Sequence, residues 1–270
     1  MPQINTLYIS KLKIMKIAII GAGNIGGAIA SGLMQSEIGR NFSVVISDPD
    51  TAKTSQLAEQ YQNISAEADN QKAVSGADIV ILAVKPWLVE KVLGTISLQP
   101  SQILASVAAG ITSEQLKSFC NAEVAMFRII PNTAISLRES MNIISSCNAT
   151  KEQEAVIMDI FNQLGFSMLV AEAQMAAGTA LSSCGIAYVL KYIQAGMQAG
   201  IEMGIYPHDA MMMVAQSVKG AAELILKGNT HPATEIDKVT TPGGITIKGI
   251  NTLESEGFPA AIIKAMKSSK

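Results

Sequence analysis

After Lys16, a run of small and β-branched apolar residues, Ile17-Ala18-Ile19-Ile20, ends directly on Gly21-Ala22-Gly23-Asn24-Ile25-Gly26. Many proteins carry a GxGxxG hexapeptide, but one that closes a buried strand and opens a helix admits few folds. The first glycine permits a tight turn, and the second lets backbone approach a pyrophosphate. The third allows close helix–strand packing, so that the helix N-terminus faces the phosphates. A second strand-like run, Phe42–Ser47, then ends on Asp48. An acidic side chain there accepts hydrogen bonds from the adenosine ribose and repels a 2′-phosphate. Ser47 and Lys53 lie close enough to soften that repulsion, so the cofactor reads as NADPH or NADH with a weak lean to NADH. The competing reading makes the glycines a structural turn and Asp48 a turn residue before Pro49.

Further apolar runs follow at 77–84, 102–110, 123–130 and 141–145, separated by helical stretches such as 51–62 and 112–120, after a first helix over 24–35. Strands alternating with helices imply an α/β fold, a Rossmann-type doubly wound parallel sheet. A helix over 151–166 and a short strand over 167–172 complete it. Past residue 175 the strand signals stop. Residues 176–206 are apolar and small, with Lys191 and Glu202 the main charges; Pro207 breaks them, and a helix over 208–227 stops at Gly228. Helices over 245–255 and 259–268 finish an all-α C-terminal domain. The expected division is an extension over 1–14 (disordered, with Met15 a possible alternative start), a dinucleotide domain over 15–175 and a helical domain over 176–270. A helix apolar all round must be covered all round, which a domain this small cannot do alone. A homo-oligomer built through the C-terminal half is therefore expected, the alternative being a three-layer helical fold within one chain.

Composition removes other classes. With 49% hydrophobic and 16% charged residues the chain is not disordered, and a net charge of -2 offers no polycationic face to nucleic acid. Cys120, Cys147 and Cys184 form no CxxC, so neither a disulfide framework nor a thiolate zinc site is expected, and the reducing cytoplasm fits. His208 and His231 are too few for a multi-histidine metal centre. No uninterrupted apolar run reaches the ~18 residues of a membrane span, and residues 1–14 lack the features of a signal peptide. The expectation is a cytoplasmic protein with no membrane or nucleic-acid partner.

Longer stretches are more selective than the loop: MKIAIIGAGNIGGAIASGL, ADIVILAVKPW, SVAAGIT, RIIPNT, AYVLKYIQAGMQAG and VTTPGGITIKGINTLESEGFPAAIIKAM. In these the chain resembles pyrroline-5-carboxylate reductase over essentially its whole length from Met15. The resemblance implies a Rossmann domain for NAD(P)H and a helical dimerisation domain forming a homodimer or a decamer of dimers. The implied reaction reduces pyrroline-5-carboxylate to proline, the final step of proline biosynthesis. It also implies that Asn70 contacts the adenosine ribose, and that Ala83, Val84, Lys85 and Pro86, with Ala108, Ala109 and Gly110, line the nicotinamide side. Lys85 reads as a ribose anchor or packing residue, not a catalytic acid. The chain departs from the family pattern at Ile130, at Ala134, at Leu137-Arg138-Glu139-Ser140 where glycines are usual, and at Ser183-Cys184-Gly185-Ile186. These changes bear on site shape and substrate tolerance.

The implied substrate is a cyclic imine carrying a carboxylate. Thr241-Pro242-Gly243-Gly244-Ile245-Thr246 stands at a helix start, where free N–H groups of Gly244, Ile245 and Thr246 could hold an anion, with Thr241 adding a hydroxyl. The bland reading is a type II turn before a helix. Thr246, the family's motif threonine, is expected to orient and polarise the imine nitrogen, the proton coming from solvent or from an already protonated imine. An alcohol-oxidising β-hydroxyacid dehydrogenase would need a lysine at position 189 and an asparagine at 193, where Val189 and Ile193 stand. A nucleotide sensor without chemistry is disfavoured by the intact Pro-Gly-Gly-Ile-Thr. Met211, Met212, Met213, Tyr188 and Tyr192 read as packing residues, and neither histidine has a visible partner.

Overall fold

The computed structural model describes residues 14–120 and 122–270, so the expected extension lies, save for Ile14, outside the described residues. The chain divides into two compact units, Met1–Ser183 and Cys184–Lys270.

The first unit holds one eight-stranded sheet. Its strands are β1 (Met15–Ile20), β2 (Phe42–Ser47), β3 (Ile64–Glu67), β4 (Ile79–Leu82), β5 (Ile103–Ser106), β6 (Ala125–Ile130), β7 (Ser140–Cys147) and β8 (Gly165–Leu169). The helices between them are α1 (Asn24–Met34), α2 (Thr51–Gln60), α3 (Asn70–Val74), α4 (Val89–Leu93), α5 (Ser113–Phe119) and α6 (Lys151–Asn162), with α7 (Met175–Thr179) after β8. The spatial order β3-β2-β1-β4-β5-β6-β7-β8 reverses direction between β1 and β4. In open parallel sheets ligands bind beyond the strand ends at such a switch point.

The strands read as continuous apolar runs because both faces are covered. Alternate residues of β1 enter separate cores: Ile17 and Ile19 pack with α1 and α6, while Ala18 and Ile20 pack with α3, α4 and α5. Helix starts follow local chemistry, since Thr112 with Gln115 and Thr150 with Gln153 form capping boxes on α5 and α6.

The expected doubly wound sheet is present, and every pairing is parallel except β6 with β7. That exception follows from chain length, because the link from Pro131 to Glu139 is too short for a crossover helix. The last strand begins at Gly165, not residue 167, because α6 stops at Asn162. β3 escapes a reading by apolar pattern, as only Ile64 of its four residues is buried.

The second unit contains α8 (Gly185–Glu202), α9 (Pro207–Gly228), α10 (Pro232–Val239), α11 (Ile245–Ser255) and α12 (Phe258–Ser268). Gly228 is the last helical residue, and the left-handed stop is Asn229 at φ 50. α8 and α9 approach closely: a Cβ on Gly200 would lie 2.7 Å from that of Ala210. The Tyr188 hydroxyl bonds the Ala265 carbonyl at 3.3 Å, fastening α12 to α8. Only Gly185, Gly200 and Ala210 are fully buried in this unit, while Leu190, Met213, Leu226 and Ile263 are more than half exposed. A helical unit with no core of its own cannot persist uncovered. The three-layer single-chain alternative therefore fails.

A π turn, Ala180–Cys184, lies within one helical run from Glu172 to Glu202. By length and composition this run is apolar enough to cross a membrane, its Ala, Ile, Leu, Val and Met residues raising the mean hydropathy although polar residues interrupt every apolar stretch. Self-association offers the same face a different cover.

Arg138, in the stretch where the resembled family is glycine-rich, is left-handed at φ 58, and its guanidinium donates to the Gln35 carbonyl at 3.1 Å. A left-handed position penalises any Cβ, so Arg138→Gly is expected to exceed Arg138→Ala in stability by about 1 kcal/mol. Urea unfolding of the two variants checks this; the reverse order would mean that residue 138 is not held left-handed.

Candidate active site

β1 delivers Gly21 into a turn at φ 108, where its N–H donates to the Ser47 carbonyl at 2.7 Å and a Cβ would lie 2.5 Å from the Ala83 carbonyl oxygen. At Gly26 a Cβ would fall 1.9 Å from the Gly21 carbonyl oxygen, so α1 seats directly on the turn. Nothing lies within 4 Å of a Cβ built on Gly23, which is the N-cap of α1. No side chain caps α1 and its first turn holds no acid, so its leading N–H groups and positive dipole end remain for an anion.

Asp48 does more than sequence reasoning assigned to it. One carboxylate oxygen accepts the Ala22 N–H at 2.7 Å and the other accepts the Asp50 N–H at 2.9 Å, so the side chain clamps the glycine loop to the end of β2. The Asp-Pro-Asp run carried a signal for the second bond, an Asx turn. Ser47 Oγ donates to Asn70 Oδ1 at 2.8 Å, and Asn70 opens α3. Lys53 pairs with Asp50 at 3.0 Å. That hydrogen bond, aided by charge attraction, lowers the Asp50 pKa and raises that of Lys53, with Asp48 adding a smaller upward effect on the lysine.

These segments border a cavity of about 580 Å³ at the β1/β4 switch point. Gly21, Gly23, Asn24, Ile25, Ser47, Asp48, Asn70, Ala83, Val84, Lys85, Pro86, Ala108 and Ala109 all line it, from the ends of five strands, β1 to β5. Ala22, Gly26 and Gly110 do not; Ala22 and Gly26 are buried behind the loop. Sequence reasoning missed Ile20, Pro49, Val107, Leu88 and Val92. The first three adjoin motif residues, and the last two stand one helical turn apart after Pro86. The volume lies in the usual ligand range, and the open Gly23 and uncapped α1 suit a pyrophosphate.

In the second unit, Gly243 at φ 72 and the bond from Gly244 N–H to the Thr241 carbonyl at 2.9 Å make a type II turn with Pro242 at its first corner. This corrects one expectation: the Gly244 N–H is taken by the turn and is not free. The uncapped start of α11 still presents the N–H groups of Ile245, Thr246 and Ile247, with no acid in the first turn. A Cβ on Gly244 would meet Thr241 Oγ1 at 2.8 Å and the Thr241 carbonyl oxygen at 3.0 Å, so the Thr241 side chain would have to turn to admit one. Thr241 and Thr246 are exposed.

Other candidates resolve differently. His231 Nδ1 accepts the Ala233 N–H at 3.2 Å and caps α10. Cys120 and Cys147, distant in sequence, line one smaller cavity of about 310 Å³. Among the described residues no three His, Cys, Asp or Glu side chains gather as a metal site.

Comparison with known proteins agrees with this layout. Residues 172–270 match the family described as pyrroline-5-carboxylate reductase dimerisation, and residues 16–110 match NADP oxidoreductase coenzyme F420-dependent. The chain is 36% identical to pyrroline-5-carboxylate reductase 1 of Dictyostelium discoideum over 94% of its own length and 48% of that protein, so it spans about half of that relative. It is 34% identical to pyrroline-5-carboxylate reductase of Escherichia coli, covering 93% of this chain and 94% of that one. The crystal structure of Plasmodium falciparum pyrroline carboxylate reductase with NADP bound is similar at a TM-score of 0.84 and 26% identity, covering 96% of each chain.

Trp87, the single tryptophan, is exposed between the cavity residues Pro86 and Leu88, so its emission should report ligand binding. Asp48→Ala frees the Ala22 N–H and is expected to weaken dinucleotide binding about tenfold or more, the loss of a charged hydrogen-bond acceptor. Titration of Trp87 quenching measures it, and an unchanged Kd would show that the clamp is dispensable.

Proposed function

Because this chain belongs to the pyrroline-5-carboxylate reductase family, we propose a residue-by-residue account of how it reduces the C=N bond of L-1-pyrroline-5-carboxylate to L-proline with NAD(P)H. The observation that carries it is the switch-point cavity bounded by the glycine loop and Asp48.

Gly21, Ala22, Gly23, Asn24, Ile25 and Gly26 hold the pyrophosphate, the first-turn amides by hydrogen bonds and Ala22 and Gly26 by shaping the loop. Asp48, Ser47 and Asn70 take the adenosine ribose. Ala83, Val84, Lys85 and Pro86, with Ala108 and Ala109, border the nicotinamide half, and Gly110 turns the chain away just beyond them. A reduced nicotinamide, when bound, supplies the hydride. NADH is the favoured donor, because the Asp48 carboxylate opposes a 2′-phosphate and Lys53 is engaged by Asp50. Parallel kinetics with NADH and NADPH should give the larger kcat/KM for NADH; the opposite order removes this preference.

Thr241, Gly243, Gly244, Ile245 and Thr246 form the substrate turn. Its amides and the dipole of α11 hold the carboxylate, while Gly244 contributes shape and not a donor. Each such bond to a charged group contributes about 1.5–3 kcal/mol, so two orient a small acid. Thr246 hydrogen-bonds the imine nitrogen and keeps it aligned. Its hydroxyl is too weak an acid to act unaided, and the proton comes from solvent or a protonated imine. Self-association runs through residues 172–270, as a homodimer or a decamer of dimers, which would cover the apolar helices without a membrane. A reducing cytoplasmic location suits three free cysteines.

Thr246→Ala is expected to lower kcat/KM roughly 10- to 150-fold, about 1.5–3 kcal/mol of transition-state stabilisation. Steady-state kinetics with pyrroline-5-carboxylate checks this, and an unchanged value takes Thr246 out of the mechanism.

A further inference from the structure

Glu172 has no role in the reaction as set out above, yet its carboxylate gathers four partners from three segments. One oxygen accepts the Ser113 N–H at 3.2 Å and pairs with the Arg128 guanidinium; the other accepts the hydroxyls of Ser113 at 2.9 Å and Ser145 at 3.0 Å. Ser113 opens α5, Arg128 lies on β6 and Ser145 on β7. The Arg128 side chain is only 11% exposed, so the carboxylate answers a mostly buried cation. Burial pushes the Glu172 pKa upward, but the bonds from Ser113, Arg128 and Ser145 together outweigh it and hold the group below the usual carboxylate range. Glu172 is thus an anion at neutral pH.

The bond to Ser113 matters because of what precedes it. Val107, Ala108 and Ala109 line the cavity, and only Gly110, Ile111 and Thr112 separate them from Ser113. At its near end this loop is fixed to the sheet by Val107 N–H on the Leu82 carbonyl at 3.0 Å. Gly110 is left-handed at φ 78, with nothing within 4 Å of a Cβ built on it. The far end is held where α5 starts, and there Glu172 grips both the N–H and the hydroxyl of one residue. Glu172 also opens the helical run to Glu202 and the region matching the dimerisation family.

We propose that Glu172 is a positioning residue for the cofactor: by anchoring Ser113 it holds the Val107–Ile111 backbone against the nicotinamide half of the cleft. This rests on the reading that the loop borders that half of the dinucleotide. Removing the anchor should cost binding of the nicotinamide end and leave the adenosine end, at the Asp48 side, untouched.

The test compares NADH with ADP-ribose, which lacks the nicotinamide, by titration calorimetry on the intact oligomer. Glu172→Gln is expected to weaken NADH about fivefold or more, in line with loss of hydrogen bonds to a charged acceptor, with ADP-ribose affinity unchanged. Ser113→Ala, which deletes one side-chain hydrogen bond at a half-buried position and should fold normally, is expected to shift NADH in the same direction by about two- to threefold. The double variant should be no weaker than Glu172→Gln alone, because both act through one contact. Equal loss of both ligands, or unchanged NADH affinity in both single variants, overturns the proposal. Failure of the wild-type protein to bind ADP-ribose would instead overturn the cleft assignment itself, and the proposal with it.

Discussion

The seating of α1 on the Gly21 turn is the constraint from which the rest follows. Side chains are excluded at both contact points, since a Cβ on Gly26 would overlap the Gly21 carbonyl oxygen and one on Gly21 would overlap that of Ala83. With the helix this close, its unpaired N–H groups stand at the mouth of the β1/β4 crevice, where no side chain competes for them. Asp48 then locks the loop from the β2 side through Ala22. An anion site of this kind is a matter of backbone geometry and needs no lysine or arginine, consistent with the near-neutral charge of the chain.

The two units solve burial differently. The sheet is covered on both faces and contains nearly all of the core, whereas the helices after Cys184 leave large apolar side chains uncovered. The match of residues 172–270 to a dimerisation family gives that surface its physical explanation. The helices are individually well formed, and a partner subunit covering them would make their stability depend on concentration. The turn Thr241–Gly244 is set by its own sequence, Pro then Gly, and needs no assembly to form.

Much of this was legible in the residues, for identifiable reasons. β1, β4 and β5 are buried on both faces, so their composition announces them. α11 and the first turn of α1 follow directly from Gly-Gly-Ile-Thr and Gly-x-Gly. β3 was not legible because an edge strand with one buried residue has no apolar pattern, and α10 because none of its residues is buried. Thirteen cavity residues came from motif reading, but Leu88, in the short turn after Lys85, and Val92, on the five-residue α4, are brought in by elements that so few residues of sequence do not establish. The clamp role of Asp48, the occupied N–H of Gly244 and the Glu172 network all depend on hydrogen bonds between segments distant in sequence or inside a turn. Periodicity does not encode such bonds.

The central claim is that the Gly21–Gly26 loop and Asp48 together hold a reduced dinucleotide. A crystal structure of the protein soaked with NADH tests it most directly. The account requires the pyrophosphate on the amides that open α1 and the adenosine ribose hydroxyls on the Asp48 carboxylate. A dinucleotide bound elsewhere, or with its pyrophosphate away from those amides, would contradict it.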